Sequence, residues 1–226
     1  IFKAAYSSGK PALGVGAGNV QCIIDDDADI ETAAPQIIAG RIFDNGIICS
    51  GEQSIIMPES KYDEMMKAFE KNGAFVITKP EEKEAMRNAM FSDGAMSRHA
   101  VGQSVQAIAK LAKLSVPEDT KVIIVEADGS GEEDSLAREK MCPVLAAFKY
   151  KTFEEGVEIA RANLEEEGKG HSVAIHSNNK EHIEYAGKEL CVSRFVINQT
   201  CATSAGGSFF NGLAPTNTLG RSEERR

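Results

Sequence analysis

Short apolar runs alternate with amphipathic stretches along almost the whole chain, and this alternation limits the fold more than any single motif. Residues 21–25 (QCIID) predict a short buried strand. Ile30, Ala33, Ala34, Ile37, Ile38 and Ile42 then recur at helical spacing, and Asn45-Gly46 predicts where that helix stops. Residues 54–58 (SIIMP) predict a strand closed by proline. An amphipathic helix, KYDEMMKAFEKNG, and a strand, AFVIT, come next. Helices are expected around residues 81–90 and 103–114, then a strand over 121–127 and a solvated turn, DGSGEEDS. The second half repeats the pattern: strand PVLAAFKY, helix TFEEGVEIARANLEE, strand HSVAIHS, helix NKEHIEYAGKEL, strand SRFVIN. Strands alternating with helices predict an α/β layered fold, a largely parallel sheet with flanking helices, in one compact domain.

A chain of 226 residues with 42% hydrophobic and 26% charged residues can bury a sizeable core as a soluble globular protein. No apolar run approaches the length of a membrane span. A net charge of −9 argues against a nucleic-acid surface, which needs a basic patch. The five cysteines are scattered, with no CxxC pair and no His/Cys ladder for a metal. That pattern fits free thiols in a reducing compartment such as the cytoplasm. The start, IFKAAYSSGK, has neither an initiator Met nor an apolar leader, so the chain is expected to be a piece of a longer protein. The tail RSEERR, residues 221–226, reads as truncated, foreign or disordered.

Two stretches invite a chemical reading. GVGAGN, residues 14–19, has the glycines of a dinucleotide fingerprint, but Asn19 stands where the third glycine belongs and a strand follows instead of a helix. A backbone turn that lets another segment approach closely is the better reading. FDNGIICSGEQS, residues 43–54, puts Cys49 in a glycine-punctuated loop between two well-patterned elements. Asn45 and Gly46 tolerate left-handed backbone, and Gly51 keeps the amides around the thiol open for an oxyanion. Cys49 is therefore either an inert packing residue or a nucleophile. Cys22, Cys142, Cys191 and Cys201 read as packing residues beside strands or in turns. Of the histidines, His176 and His182 are expected at the surface, whereas the turn before His171 suits a cleft. The acidic run 165–167 reads as a solvated helix end.

SSGKPALGVGAGNVQCIID, FDNGIICSGEQS and REKMCPVLAAFKYKTFEEGVEIA together resemble the aldehyde dehydrogenase superfamily. They are most similar to its CoA-acylating branch, the aldehyde dehydrogenase half of bifunctional aldehyde-alcohol dehydrogenases and their stand-alone relatives. The resemblance implies that residues 1–220 are the thiol-bearing catalytic domain, with most of the nucleotide-binding domain outside this chain. It implies Cys49 as the catalytic thiol, Glu139 as the carboxylate that holds the nicotinamide ribose, and His171 as a residue near substrate or coenzyme A. Met141 and Cys142 stand where the hydrolytic branch has an aromatic residue and a glycine.

Gly14 is the informative departure. Hydrolytic members carry a glutamate there, in a motif of the form LELGGK, to activate the deacylating water; this chain reads LGVGAG. A thioester needs a base to be hydrolysed efficiently, whereas a thiol acceptor is the better nucleophile. The resemblance thus implies oxidation of a short aldehyde by NAD or NADP with acyl transfer to coenzyme A, reversibly, through a thiohemiacetal and a thioester on Cys49. Acetaldehyde is the first choice, with succinate semialdehyde and sulfoacetaldehyde open. It also implies a homo-oligomer for the full-length parent and little activity for this chain alone; hydropathy, charge and cysteine spacing leave no membrane, nucleic-acid or metal partner expected. The rival readings are a cysteine-dependent hydrolase and a non-catalytic assembly module.

Overall fold

A computed structural model of the chain describes residues 6–11, 16–92 and 94–206. Gly14 and the tail 221–226 lie outside the described residues, so the expectations placed on them rest on sequence alone. The central sheet has seven strands: β1 (Val20–Ile24), β2 (Glu52–Pro58), β3 (Ala74–Ile77), β6 (Val122–Glu126), β7 (Val144–Tyr150), β8 (Gly170–His176) and β9 (Val192–Ile197). Their spatial order is β3-β6-β7-β2-β1-β8-β9, and each neighbouring pair is parallel. A two-stranded antiparallel ribbon, β4 (Phe91–Ser92) and β5 (Ala95–Met96), stands apart.

The helices cover both faces, as a parallel sheet requires. Ile23, Ile56, Ile123, Val125, Val144, Ala146, Val173 and Ile175 point to one core. That core is closed by α3 (Pro80–Met90), α4 (Val105–Leu111), α5 (Phe153–Glu166) and α6 (Lys180–Glu189). Cys22, Ile24, Ile55, Met57, Ile124, Leu145, Ala147 and Ala174 point the other way, against α1 (Ile30–Ile42) and α2 (Tyr62–Lys71). The period-two alternation of strand side chains accounts for the division. A four-residue helix, α7 (Thr203–Gly206), follows β9.

Two surface assignments are corrected. His176 lies within β8, between β1 and β9, and is 3% exposed; burial pushes its imidazole down to about 4. DGSGEEDS is not wholly solvated: Asp134 is buried and accepts from Arg87 Nε at 2.9 Å and Nη2 at 2.7 Å. Alternation detects the strand and the turn but not which strands are central.

A buried polar seam locks the entry to β1. Asn19 Nδ2 donates to the carbonyls of Ala137 at 2.8 Å, Asn163 at 3.1 Å and Glu167 at 3.0 Å. Gln21 Nε2 donates back to the Asn19 carbonyl at 3.0 Å, and Asn163 Nδ2 donates to Gln21 Oε1 at 2.8 Å. Removing a partner leaves buried carbonyls unsatisfied, which costs more than the bonds themselves contribute. Asn19→Ala should therefore destabilise the chain by ~2–4 kcal/mol in urea unfolding, and a change below ~0.5 kcal/mol would deny the seam this role.

Candidate active site

Cys49 sits just before β2, Gly18 just before β1, Glu139 before β7, and His171 at the start of β8. Because β7, β2, β1 and β8 are consecutive in the sheet, all four residues converge on its amino edge. Ligands of open α/β sheets ordinarily lie at the carboxyl edge. That edge holds a groove lined by Glu126, Asp128, Ser130, Phe148 and Lys149, with no cysteine or histidine in its lining. Cys49 lies at the other end.

The loop that presents Cys49 is shaped by its residue types. After α1 ends, Asp44 and Asn45 take φ of 49° and Gly46 takes 76°, turning the chain back toward the sheet. Gly46 has a second reason to be glycine: a Cβ there would stand 2.6 Å from the carbonyl of Cys142. Arg41, fully buried on α1, reaches into this turn. Its Nη1 donates to the Glu52 carbonyl at 2.8 Å and its Nη2 to the Gly46 carbonyl, so one guanidinium bridges both ends of the loop. The sequence held a signal for this. Arg41 follows Ile37 and Ile38 at helical spacing on the apolar face of α1, where a charge requires partners.

Gly18 is where the site comes together. A Cβ on it would lie 2.7 Å from Cys49 Cβ and closer still to the Cys49 carbonyl, so only glycine lets this backbone pass against the thiol loop. The Gly18 amide donates to Glu139 Oε1 at 3.0 Å, which brings that carboxylate to the same backbone. Glu139 is itself positioned, its amide donating to Glu167 Oε2 at 2.8 Å. Glu167 thus orients the site instead of only capping a solvated helix end, and nothing in the local sequence links residues 28 apart. Lys140, wholly buried, donates from Nζ to the carbonyls of Leu136 and Arg138, each at 2.7 Å, while its amide donates to Gln53 Oε1 at 2.8 Å. Burial pulls the Lys140 ammonium down to about 7.

His171, whose turn suits a cleft, is fully buried in this chain. Gly168 and Gly170 take φ of 100° and 83°, and a Cβ on Gly168 would meet Asn19 Cβ at 2.6 Å. The turn packs the chain down onto β1 and carries His171 into β8, with its side chain at 0% exposure. Cys49 is partly buried, as is Cys191, whereas Cys22, Cys142 and Cys201 are buried. Burial pushes the Cys142 thiol up to about 11, the Cys201 thiol up to about 12, and the Cys22 thiol well above its ordinary value.

A partly buried cysteine on a glycine-framed loop and a carboxylate anchored to the same strip of backbone thus lie together at the amino edge of the sheet. The family model described as the aldehyde dehydrogenase family matches residues 1–222, and the chain belongs to that family. The succinate-semialdehyde dehydrogenase (acetylating) of Clostridium kluyveri is 56% identical over 218 residues, covering 96% of this chain and 48% of the relative. The bifunctional aldehyde-alcohol dehydrogenase of Escherichia coli K12 is 38% identical, covering 97% of this chain and 25% of the relative. The crystal structure of an acetylating aldehyde dehydrogenase from Geobacillus thermoglucosidasius superposes with a TM-score of 0.85 at 35% identity, covering 92% of this chain and 46% of that one. A Rhodopseudomonas palustris propionaldehyde dehydrogenase, solved with bound CoA and an acylated cysteine, gives 0.83 at 26% identity, covering 99% and 49%. This chain thus spans about half the length of its nearest-sized relatives and a quarter of the bifunctional ones. No helix among the described residues is long and apolar enough to cross a membrane.

With limiting iodoacetamide on the folded chain, Cys49 should take most of the label, Cys191 a minor share, and the three buried thiols label only after unfolding. Peptide mass mapping that finds Cys191 labelled ahead of Cys49 would contradict the site.

Proposed function

We propose that this chain is the catalytic half of a CoA-acylating aldehyde dehydrogenase, with most of its nucleotide-binding domain outside these residues. The observation that carries the reading is the Gly18 junction, which sets the Cys49 loop and the Glu139 carboxylate against one strip of backbone. In this mechanism the Cys49 thiolate adds to the aldehyde carbon, and the Cys49 amide together with a donor outside this chain holds the oxyanion. Bound NAD(P)+ supplies the hydride acceptor. Glu139 lies at the same edge as the thiol, as a ribose-holding carboxylate must. The resulting thioester on Cys49 is attacked by the coenzyme A thiolate, which forms acyl-CoA and returns Cys49 as thiolate; the sequence runs in either direction. His171, buried one strand away from Gly18, supports the coenzyme A side of the site from within β8.

Short aldehydes are the substrate class. Acetaldehyde is the first choice, and the similarity to an acetylating succinate-semialdehyde dehydrogenase makes succinate semialdehyde the comparison that matters. A homo-oligomer working in the cytoplasm completes the reading, in keeping with five scattered cysteines that form no CxxC pair.

The test is product partitioning by the chain joined to its nucleotide-binding half. Acyl-CoA should form far faster than free acid, because a general base contributes ~10²–10⁴-fold and water is the acceptor that most needs one. Gly14→Glu should raise the acid share. Free acid forming from aldehyde and NAD(P)+ just as fast without coenzyme A would overturn the acylating assignment.

A further inference from the structure

Glu52 is a fully buried carboxylate three residues after Cys49, and the chemistry above gives it no task. Its Oε1 accepts from the Cys201 amide at 2.5 Å, and Thr200 Oγ1 donates to the two carboxylate oxygens at 3.1 and 3.3 Å. Ser50 Oγ adds a second tie, donating to the Ala202 carbonyl at 3.3 Å. The thiol loop is thereby fastened to residues 200–202, beyond β9, in addition to the Arg41 bridge. Gly40, in the interior of α1, makes room: a Cβ there would overlap the Glu52 carboxylate and the Thr200 hydroxyl. A mid-helix glycine is ordinarily unfavourable, so its presence fits a demand for this clamp.

We infer that Glu52 is a positioning residue for Cys49, holding the thiol loop in its reactive geometry through the Cys201 amide and the Thr200 hydroxyl. The inference rests on Cys49 being the nucleophile. The Cys201 amide can only donate and the Thr200 hydroxyl donates to the same carboxylate, so the ionised form accepts both, whereas the acid must reverse the Thr200 hydrogen bond. Burial opposes the charge and pushes Glu52 up to about 7, against the lowering pull of the Cys201 and Thr200 bonds and the Arg41 charge. The other titratable groups facing it are the thiols of Cys22 on β1 and Cys201, both neutral through the same range. The clamp is therefore complete above neutral pH and loosened below it.

Glutamine at this position would keep the volume and an acceptor for the Cys201 amide, but its NH2 group would force the Thr200 hydroxyl, which also accepts from the Ala202 amide, to reverse its hydrogen bond. The experiment measures the rate of Cys49 alkylation by iodoacetamide from pH 5.5 to 9, a range of about one and a half units or more on either side of neutrality, in the unaltered chain, Glu52→Gln, Glu52→Asp and Thr200→Val. The unaltered chain should show two ionisations, that of the thiol and one near 7. Glu52→Gln should lose the second and react roughly tenfold more slowly at pH 8, with Glu52→Asp restoring part of the rate and Thr200→Val giving a smaller loss. If Glu52→Gln fails to fold, Thr200→Val carries the test through the same profile. Superimposable profiles would overturn the inference. So would faster alkylation in Glu52→Gln, the result expected if Glu52 acted only as a nearby negative charge. A Cys49 that no variant, nor the unaltered chain, alkylates would instead refute the nucleophile assignment.

Discussion

The contact between Gly18 and the thiol loop is the constraint on which the rest of the site depends. It is a backbone passing where no side chain fits, with a Cβ on Gly18 only 2.7 Å from that of Cys49. Such an approach requires β1 and β2 to be neighbours, which the parallel crossover through α1 provides. It also requires the segment before β1 to be held from its far side, and the three bonds from the Asn19 side chain do that. Once Gly18 is fixed, its amide fixes Glu139, and Glu139 in turn faces Glu167 through its own amide.

The loop itself is held by buried charges. Arg41, Glu52 and Lys140 are all fully buried near the amino edge of the sheet. Each has main-chain partners: Arg41 the carbonyls of Gly46 and Glu52, Lys140 those of Leu136 and Arg138, and Glu52 the Cys201 amide besides the Thr200 hydroxyl. Desolvating a charge in this way costs stability and is tolerated where geometry must be fixed. Main-chain partners suit that purpose, because they hold loops that have no ladder of their own. The same desolvation moves Glu52 and Lys140 to about 7 from opposite directions.

Much of this was legible in the sequence because the sheet is parallel and buried on both faces. Apolar runs such as QCIID and PVLAAFKY stand out against helices such as α2 and α5, and the strands they predict are β1 and β7. GVGAGN, read as a close-approach turn instead of a nucleotide cradle, agrees with Gly18 against Cys49 and with the strand that follows. What escaped was long-range. His176 was expected outside and is buried, since alternation does not give strand order. Glu167 and Asp134 looked solvated in acidic runs, yet one orients Glu139 and the other anchors Arg87 across the fold. Glu52 gave no local sign at all, because its partners lie about 150 residues away in sequence.

In the proposed mechanism Cys49 carries an acyl group between aldehyde chemistry and coenzyme A. Transthioesterification run backwards needs no nucleotide, so the folded chain can be offered a short acyl-CoA directly and Cys49 examined by peptide mass spectrometry. A hydroxylamine-labile acyl group is expected on Cys49, with free coenzyme A released in equal amount and none formed by Cys49→Ala. Acylation at another cysteine, or none on a folded chain whose Cys49 still alkylates, would contradict it.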